Sequence, residues 1–185
     1  MEANTINLHS EIIERCRLGD EIAQYDIYRL YSKAMYNTAL RICGSKEEAE
    51  DVLQEAFLSA FRSIASYREE ATFGAWLKRI VVNKSITALK RNQKETIMME
   101  EVHDTFQEYS ETEFNEPELS VQRIREGMNQ LPNGFRSVLS LYLFEGYDHK
   151  EIAEIMGITE STSKSQYKRA KDKLKTILEK EVKYG

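Results

Sequence analysis

Two prolines and eight glycines in 185 residues leave this chain almost without backbone punctuation. That scarcity argues against the turn-dense all-β architectures. No stretch alternates apolar and polar residues for long enough to make a half-buried strand, whereas apolar residues recur three and four positions apart along most of the chain. The expected fold class is therefore all-α. Cysteine is scarce too: Cys16 and Cys43 lie far apart and neither belongs to a Cys/His cluster. This weighs against a disulfide framework or a metal site and predicts reduced, buried thiols. No apolar run approaches the roughly 20 residues of a membrane span. Met1 to Leu8 has neither the basic start nor the apolar core of a signal peptide, so a cytoplasmic location is expected.

Positive charge is not in excess either. The 26 Lys and Arg against 31 Asp and Glu give a net charge of −5, which as a sum counts against a nucleic-acid partner. The distribution reverses that reading. Between Trp76 and Lys94 stand Lys78, Arg79, Lys84, Lys90, Arg91 and Lys94 with no acid, and between Lys164 and Lys175 stand Lys164, Lys168, Arg169, Lys171, Lys173 and Lys175 against Asp172 alone. The acids gather around Glu47 to Glu55 and from Glu95 to Glu118. Such segregation suggests two nucleic-acid faces and a different partner for the acidic surface. The stretch from Glu95 onward carries no Lys or Arg as far as Glu118 and shows no apolar period, which reads as an extended linker. Three segments are expected: a helical lobe at 7–94, an acidic linker at 95–116 and a second helical lobe at 117–183.

In the first lobe, helices are expected over about Ser10 to Leu18 and Glu21 to Ile42, with Gly19 and Gly44 as stops. A third starts at Ser45, where Ser45-Lys46-Glu47-Glu48 has the spacing of a capping box. Its apolar stripe is Ala49, Val52, Leu53, Ala56, Phe57, Ala60, Phe61 and Ile64. Asp51, Gln54 and Glu55 are expected opposite Phe57 and Phe61 as an acidic ridge. A fourth helix begins near Thr72 and turns Phe73, Trp76, Leu77 and Ile80 inward, completing a small bundle.

The second lobe carries the sharper pattern. Phe135, Val138, Leu139, Tyr142 and Leu143 form one apolar helical face that Gly146 should end. Asp148-His149-Lys150-Glu151 offers a cap with its Glu three residues on, opening a short helix with Ile152, Ala153, Ile155 and Met156. Gly157 permits a left-handed turn, Ile158 plugs it, and Thr159 can cap the next helix. This is the helix, tight glycine turn, helix pattern of a DNA-binding motif. The second helix buries Tyr167, Ala170, Leu174 and Ile177, so Glu160, Ser161, Lys164, Ser165, Lys168 and Lys171 face outward, where a recognition helix meets base edges and phosphates.

Leu131-Pro132 through Glu145-Gly146, Glu151 to Ile158, Lys164-Ser165 and Lys168-Arg169-Ala170 together resemble the C-terminal domain of bacterial extracytoplasmic-function sigma factors. Ala49-Glu50-Asp51-Val52-Leu53-Gln54-Glu55-Ala56-Phe57 looks like that family's polymerase-binding helix, and Phe73 to Asn83 looks like its downstream-element helix. The resemblance implies that Asp51, Gln54 and Glu55 dock on a basic coiled coil of the largest subunit of core RNA polymerase. It implies further that Asn83 and the Tyr67 to Thr72 loop hold a flipped base of the downstream promoter element, with Tyr67, Trp76, Lys78, Arg79, Lys84, Lys90 and Arg91 along the same DNA face. For Tyr67 and Trp76 core packing is at least as strong a reading as base contact. Thr159, Ser161, Thr162, Lys164, Ser165, Lys168, Arg169 and Lys171 would read the upstream element as duplex, and the linker would thread toward the active-site and RNA-exit channel of the polymerase. An anti-sigma factor is an expected partner. Catalytic residues, cofactors, metals and a small-molecule substrate are not expected. Two departures from the family pattern stand out. Ser163 occupies a buried position that is usually apolar, for which the carbonyl four residues back is a candidate partner, and Gln166 replaces a common basic residue, so weak duplex binding by this helix alone is expected.

Two other functions fit parts of the sequence. A stand-alone repressor or activator could carry the same helix-turn-helix, and would usually dimerise across two half-sites. A metal-dependent nuclease could use Asp51 and Glu55, four residues apart on one helix, but no His or further acid partners them.

Overall fold

The computed structural model describes the backbone of residues 2–97 and 121–184 and the side chains of 10–92 and 121–180. Its helices are α1 (Glu2–Arg17), α2 (Glu21–Cys43), α3 (Lys46–Ser63), a short 3-10 turn (Ile64–Ser66), α4 (Phe73–Ile97), α5 (Val121–Asn129), α6 (Asn133–Leu143), α7 (His149–Met156) and α8 (Glu160–Tyr184). No strand occurs among the described residues, so the fold is all-α. The chain divides into two compact units, Met1–Ala88 and Leu89–Gly185. Residues 95–97, expected to open the linker, continue α4 instead, and the rest of the expected linker lies outside the described residues.

Local chemistry sets the helix ends of the N-terminal unit. The Asp20 carboxylate accepts the N–H groups of Ile22 and Ala23 at 2.9 and 3.2 Å and is gripped by Arg15 at 2.8 Å. The bond from Arg15 and the two amides hold that carboxyl below the usual carboxylate range. Gly44, at φ 78°, ends α2 with its N–H on the Leu40 carbonyl, and Ser45 opens α3 by accepting the Glu48 N–H at 3.3 Å while donating to Glu47 at 2.9 Å. The expected stripe of α3 is inward: Ala49, Val52, Leu53, Ala56, Phe57 and Ala60 are buried. Ile27, Leu77 and Val81 are completely enclosed in the same core, each such side chain contributing about 1.5–3 kcal/mol of burial. Cys16 and Cys43 are free and buried, and burial pushes the Cys16 thiol up to about 11.

The C-terminal unit is built around α8. Met128, Leu131, Leu139 and Ala170 form its buried centre, with Ile124, Phe135, Tyr167, Leu174 and Ile177 packed around them. Helix α5 approaches closely because Gly127 has no side chain: a Cβ there would lie 2.9 Å from a Leu174 methyl. The expected face of α6 is corrected. Val138, Leu139 and Leu141 are buried, whereas Tyr142 and Leu143 are exposed. The helix also stops at Leu143, ahead of Gly146: the Glu145 N–H bonds the Ser140 carbonyl, five residues back, and the Leu141 carbonyl is taken by the Tyr147 N–H instead.

Candidate nucleic-acid interface

Helix α7 begins with a complete capping box: Asp148 Oδ1 accepts the Glu151 N–H at 2.8 Å and Glu151 Oε2 accepts the Asp148 N–H at 2.9 Å. It ends at Gly157, whose φ of 69° is a left-handed conformation that glycine adopts without steric cost. The N–H groups of Gly157 and Ile158 both return to the Ala153 carbonyl. Thr159 then caps α8, its Oγ1 accepting the Thr162 N–H at 3.0 Å and lying 2.8 Å from the Thr162 hydroxyl. Two capped helices joined by the three residues Gly157 to Thr159 are thus fixed locally, and α8 begins exposed at Glu160 and Ser161.

Glu160, Ser161, Lys164, Ser165, Lys168, Arg169 and Lys171 are all exposed on α8. Thr162 is half-buried, and its carbonyl takes the Ser165 hydroxyl at 3.0 Å. Lys164 pairs with Glu160 at 2.6 Å, which draws the Glu160 carboxyl below its usual range. The ammonium of Lys171 lies 5.5 Å from the centre of the Tyr167 ring. Ser163 is completely buried, and its partner is not the carbonyl four residues back. The Thr159 carbonyl takes the Ser163 N–H, while the Ser163 hydroxyl meets His149 Nδ1 at 2.9 Å. The imidazole stacks on Tyr142 at 4.7 Å and meets the edge of Tyr167 at 5.5 Å, and Tyr142 and Tyr167 are 4.6 Å apart. Gln166 is half-buried over Gly134, where a Cβ would lie 3.7 Å from Oε1. It therefore stands outside the exposed row.

On α3, Asp51, Gln54 and Glu55 are exposed as expected, but they do not form one ridge opposite the aromatics. Gln54 shares a face with Phe57 and Phe61, since residues three and seven apart on a helix are neighbours, and it lines a groove of about 410 Å³ with Tyr25, Tyr28, Leu58 and both phenylalanines. Tyr25, Tyr28 and Leu58 are substantially exposed there. Glu55 lies 3.7 Å from Lys84 of α4, a pairing of two candidate residues that spacing within either helix does not reveal.

Helix α4 begins where Thr72 accepts the Ala75 N–H at 3.3 Å. Arg79, Asn83 and Thr87 form an exposed line at four-residue spacing, and the Asn83 carbonyl accepts the Thr87 hydroxyl at 2.8 Å. Lys78 and Lys84 are half-buried, and Lys90 and Arg91 are exposed farther along the helix. Tyr67 is buried and Trp76 partly so, both 5.4 Å from Phe73 and from each other. Packing therefore claims these two rings, and the Tyr67 hydroxyl donates to the Ala71 carbonyl at 2.7 Å. Between them Glu69 holds a φ of 61°, a conformation costing a non-glycine residue about 1–3 kcal/mol.

Among the described residues no cluster of three or more His, Cys, Asp or Glu side chains is placed to hold a metal ion. Nor is any described helix long and apolar enough to cross a membrane.

Comparison with known proteins gives this geometry a family. Residues 27–95 match the model of sigma-70 region 2 and residues 121–174 that of sigma-70 region 4. The ECF RNA polymerase sigma factor SigM of Bacillus subtilis is 31% identical over 159 residues, covering 85% of this chain and 96% of the relative. The chain belongs to the extracytoplasmic-function sigma factors. Other relatives of this sigma factor are SigW of Bacillus subtilis, 30% identical over 90% of this chain and 94% of the relative, and the sigma-H factor of Pseudomonas aeruginosa, 28% identical over 91% and 93%. The sigma factor RpoE, solved with the anti-sigma factor NepR from Bartonella quintana, shares the fold at a TM-score of 0.57, with 21% identity over 84% of this chain and 96% of that one. CnrH, solved with the cytosolic domain of CnrY, does so at 0.53, with 19% identity over 91% and 95%. As a sigma factor, the protein acts with core RNA polymerase in promoter-directed initiation of transcription.

Proposed function

We propose that the acidic face of α3 docks this sigma factor on core polymerase, that the α4 face opens the downstream promoter element, and that α8 reads the upstream element as duplex. Asp51, Gln54 and Glu55 make the first contact, on a basic coiled coil of the largest subunit, and the adjoining groove between Tyr25, Tyr28 and Leu58 adds apolar area to it. Asn83 and the exposed part of the Tyr67 to Thr72 loop receive a base flipped from the stack, while Tyr67 and Trp76 form the floor beneath. Unstacking costs a few kcal/mol that such a pocket must return. Lys78, Arg79, Lys84, Lys90 and Arg91 attract the strand phosphates, and Thr159 to Lys171 supply the contacts of α8. Region boundaries at 7–94, 95–116 and 117–183, a cytoplasmic location and the absence of any catalytic activity or cofactor belong to the same reading.

The observation that carries it is the segregation of charge on the folded chain. One unit exposes carboxylates on α3 and the other exposes lysines and arginine along α8. An anti-sigma partner is also proposed, since RpoE was solved with the anti-sigma factor NepR.

Gel filtration with purified core polymerase, followed by permanganate footprinting of a promoter, tests the assignment. Asp51→Ala with Glu55→Ala is expected to abolish co-elution, and Asn83→Ala to impair strand opening while co-elution persists. Equal loss of both properties in Asn83→Ala would make Asn83 a structural residue. A chain that never co-elutes with core and yields no promoter-dependent RNA would be a stand-alone regulator instead.

A further inference from the structure

The loop assigned to the flipped base is held in shape from α1, a helix to which neither periodicity nor family motif gave a role. Arg17 ends α1, and its Nη2 donates to the Tyr67 carbonyl, 50 residues away, at 2.6 Å. The same nitrogen lies 3.7 Å from Glu69 Oε1. Nη1 is anchored by Glu14, and the guanidinium carbon sits 5.9 Å from the centre of the Tyr67 ring. Glu69 is the only non-glycine residue with positive φ among the described residues. At the far side of the loop the Tyr67 hydroxyl holds the Ala71 carbonyl. The segment is thus fixed at residues 67, 69 and 71, and the exposed Arg68, Glu70 and Thr72 are carried on that frame.

A planar guanidinium with five donors can serve a backbone carbonyl, two carboxylates and a ring face together, which a lysine ammonium at the end of a flexible stem cannot. We infer that Arg17 is a positioning residue for promoter opening. It holds the Tyr67–Thr72 loop, against the backbone preference of Glu69, in the shape that receives an unstacked base. Order imposed beforehand need not be imposed when the base arrives. This inference rests on the loop reading given above.

The test uses holoenzyme on a duplex promoter, with permanganate reactivity measuring opening and gel filtration measuring core binding. Arg17→Ala is expected to slow opening about tenfold, within the roughly hundredfold that a 1 Å misplacement of a positioned group can cost, with core binding unchanged. Arg17→Lys should be impaired nearly as much, because it keeps the charge and loses the fork. Adding Glu69→Asn to Arg17→Ala should restore opening severalfold, since Asn tolerates the left-handed conformation better than Glu. Full activity of Arg17→Lys would overturn the inference, reducing Arg17 to a phosphate-attracting charge. Equal loss of opening and core binding without rescue would overturn it in favour of a general stabilising role. Normal opening in Arg17→Ala while Asn83→Ala is defective would overturn it and leave the loop reading standing. Normal opening in Arg17→Ala, Asn83→Ala and a combined Arg68→Ala, Glu70→Ala variant would overturn both.

Discussion

In the N-terminal unit the helices are fixed against one another by apolar and aromatic surface, whereas the C-terminal unit buries a set of polar side chains around a smaller apolar centre. The described polar residues buried in the first are Thr38 and Ser85, and the Ser85 hydroxyl returns to its own helix at the Val81 carbonyl. The second buries Arg136, Ser137, Ser140, Glu145 and Ser163. Arg136 spans the Leu131 carbonyl and the Asn133 side chain, and Ser163 joins α8 to the start of α7 through His149. Apolar burial is non-directional and scales with area, while hydrogen bonds weaken steeply as their angles open. The difference teaches what each unit must hold constant. A surface that docks on a large partner needs a firm base, but a helix that meets base edges also needs its roll and tilt defined.

The largest expected effect breaks the apolar side of this contrast. Leu77→Ala, at a fully enclosed position, should cost about 2–5 kcal/mol. Calorimetry should show the N-terminal transition falling while duplex binding by α8 is retained; a joint collapse of both would mean that the two cores are energetically one. Next comes the polar side. Ser163→Val leaves His149 Nδ1 facing a methyl group and should cost about 1–3 kcal/mol together with upstream-duplex affinity. Adding His149→Phe should recover most of both losses, and additive losses in the double variant would show that the hydrogen bond does not couple the helices. The smallest effect on stability separates reading from folding. Lys168→Ala, exposed on α8, should change stability by less than about 0.5 kcal/mol while lowering the salt slope of duplex binding by about 0.9. An unchanged slope in titrations at several salt concentrations would remove Lys168 from the phosphate contacts.

What could be read from the chain beforehand follows the same division. Caps and stops within a few residues of one another were legible: Asp148 with Glu151, Gly157, Thr159 and Gly44 behave as their local chemistry dictates, and Ser45 caps α3 by accepting the Glu48 N–H while its hydroxyl donates to Glu47. The inward stripe of α3 was legible because a helix repeats its facing every 3.6 residues. Periodicity failed where a second partner decided the outcome. It placed Leu143 rather than Leu141 inside, although Leu141 stands three residues after the enclosed Val138 on the same helical flank. It kept Gln54 away from Phe57 and Phe61, although their spacing puts all three on one flank beside α2. The partner of Ser163 lies 14 residues upstream across the turn, and the hold of Arg17 on Tyr67 spans 50 residues. Neither pairing leaves a local mark in the sequence. The outward row of α8 is legible in composition, and the tie between Lys164 and Glu160 within it has the four-residue spacing of an ordinary helical pair.

Trp76 is the chain's sole tryptophan, and its ring packs against both Tyr67, which opens the loop that Arg17 holds, and Phe73, which follows it. The protein therefore carries an intrinsic optical reporter confined to one of its two units. Indole emission should register rearrangement of the loop and melting of the N-terminal core, yet stay largely silent when α8 alone engages duplex DNA, so the two halves of promoter engagement can be timed separately without attaching a dye.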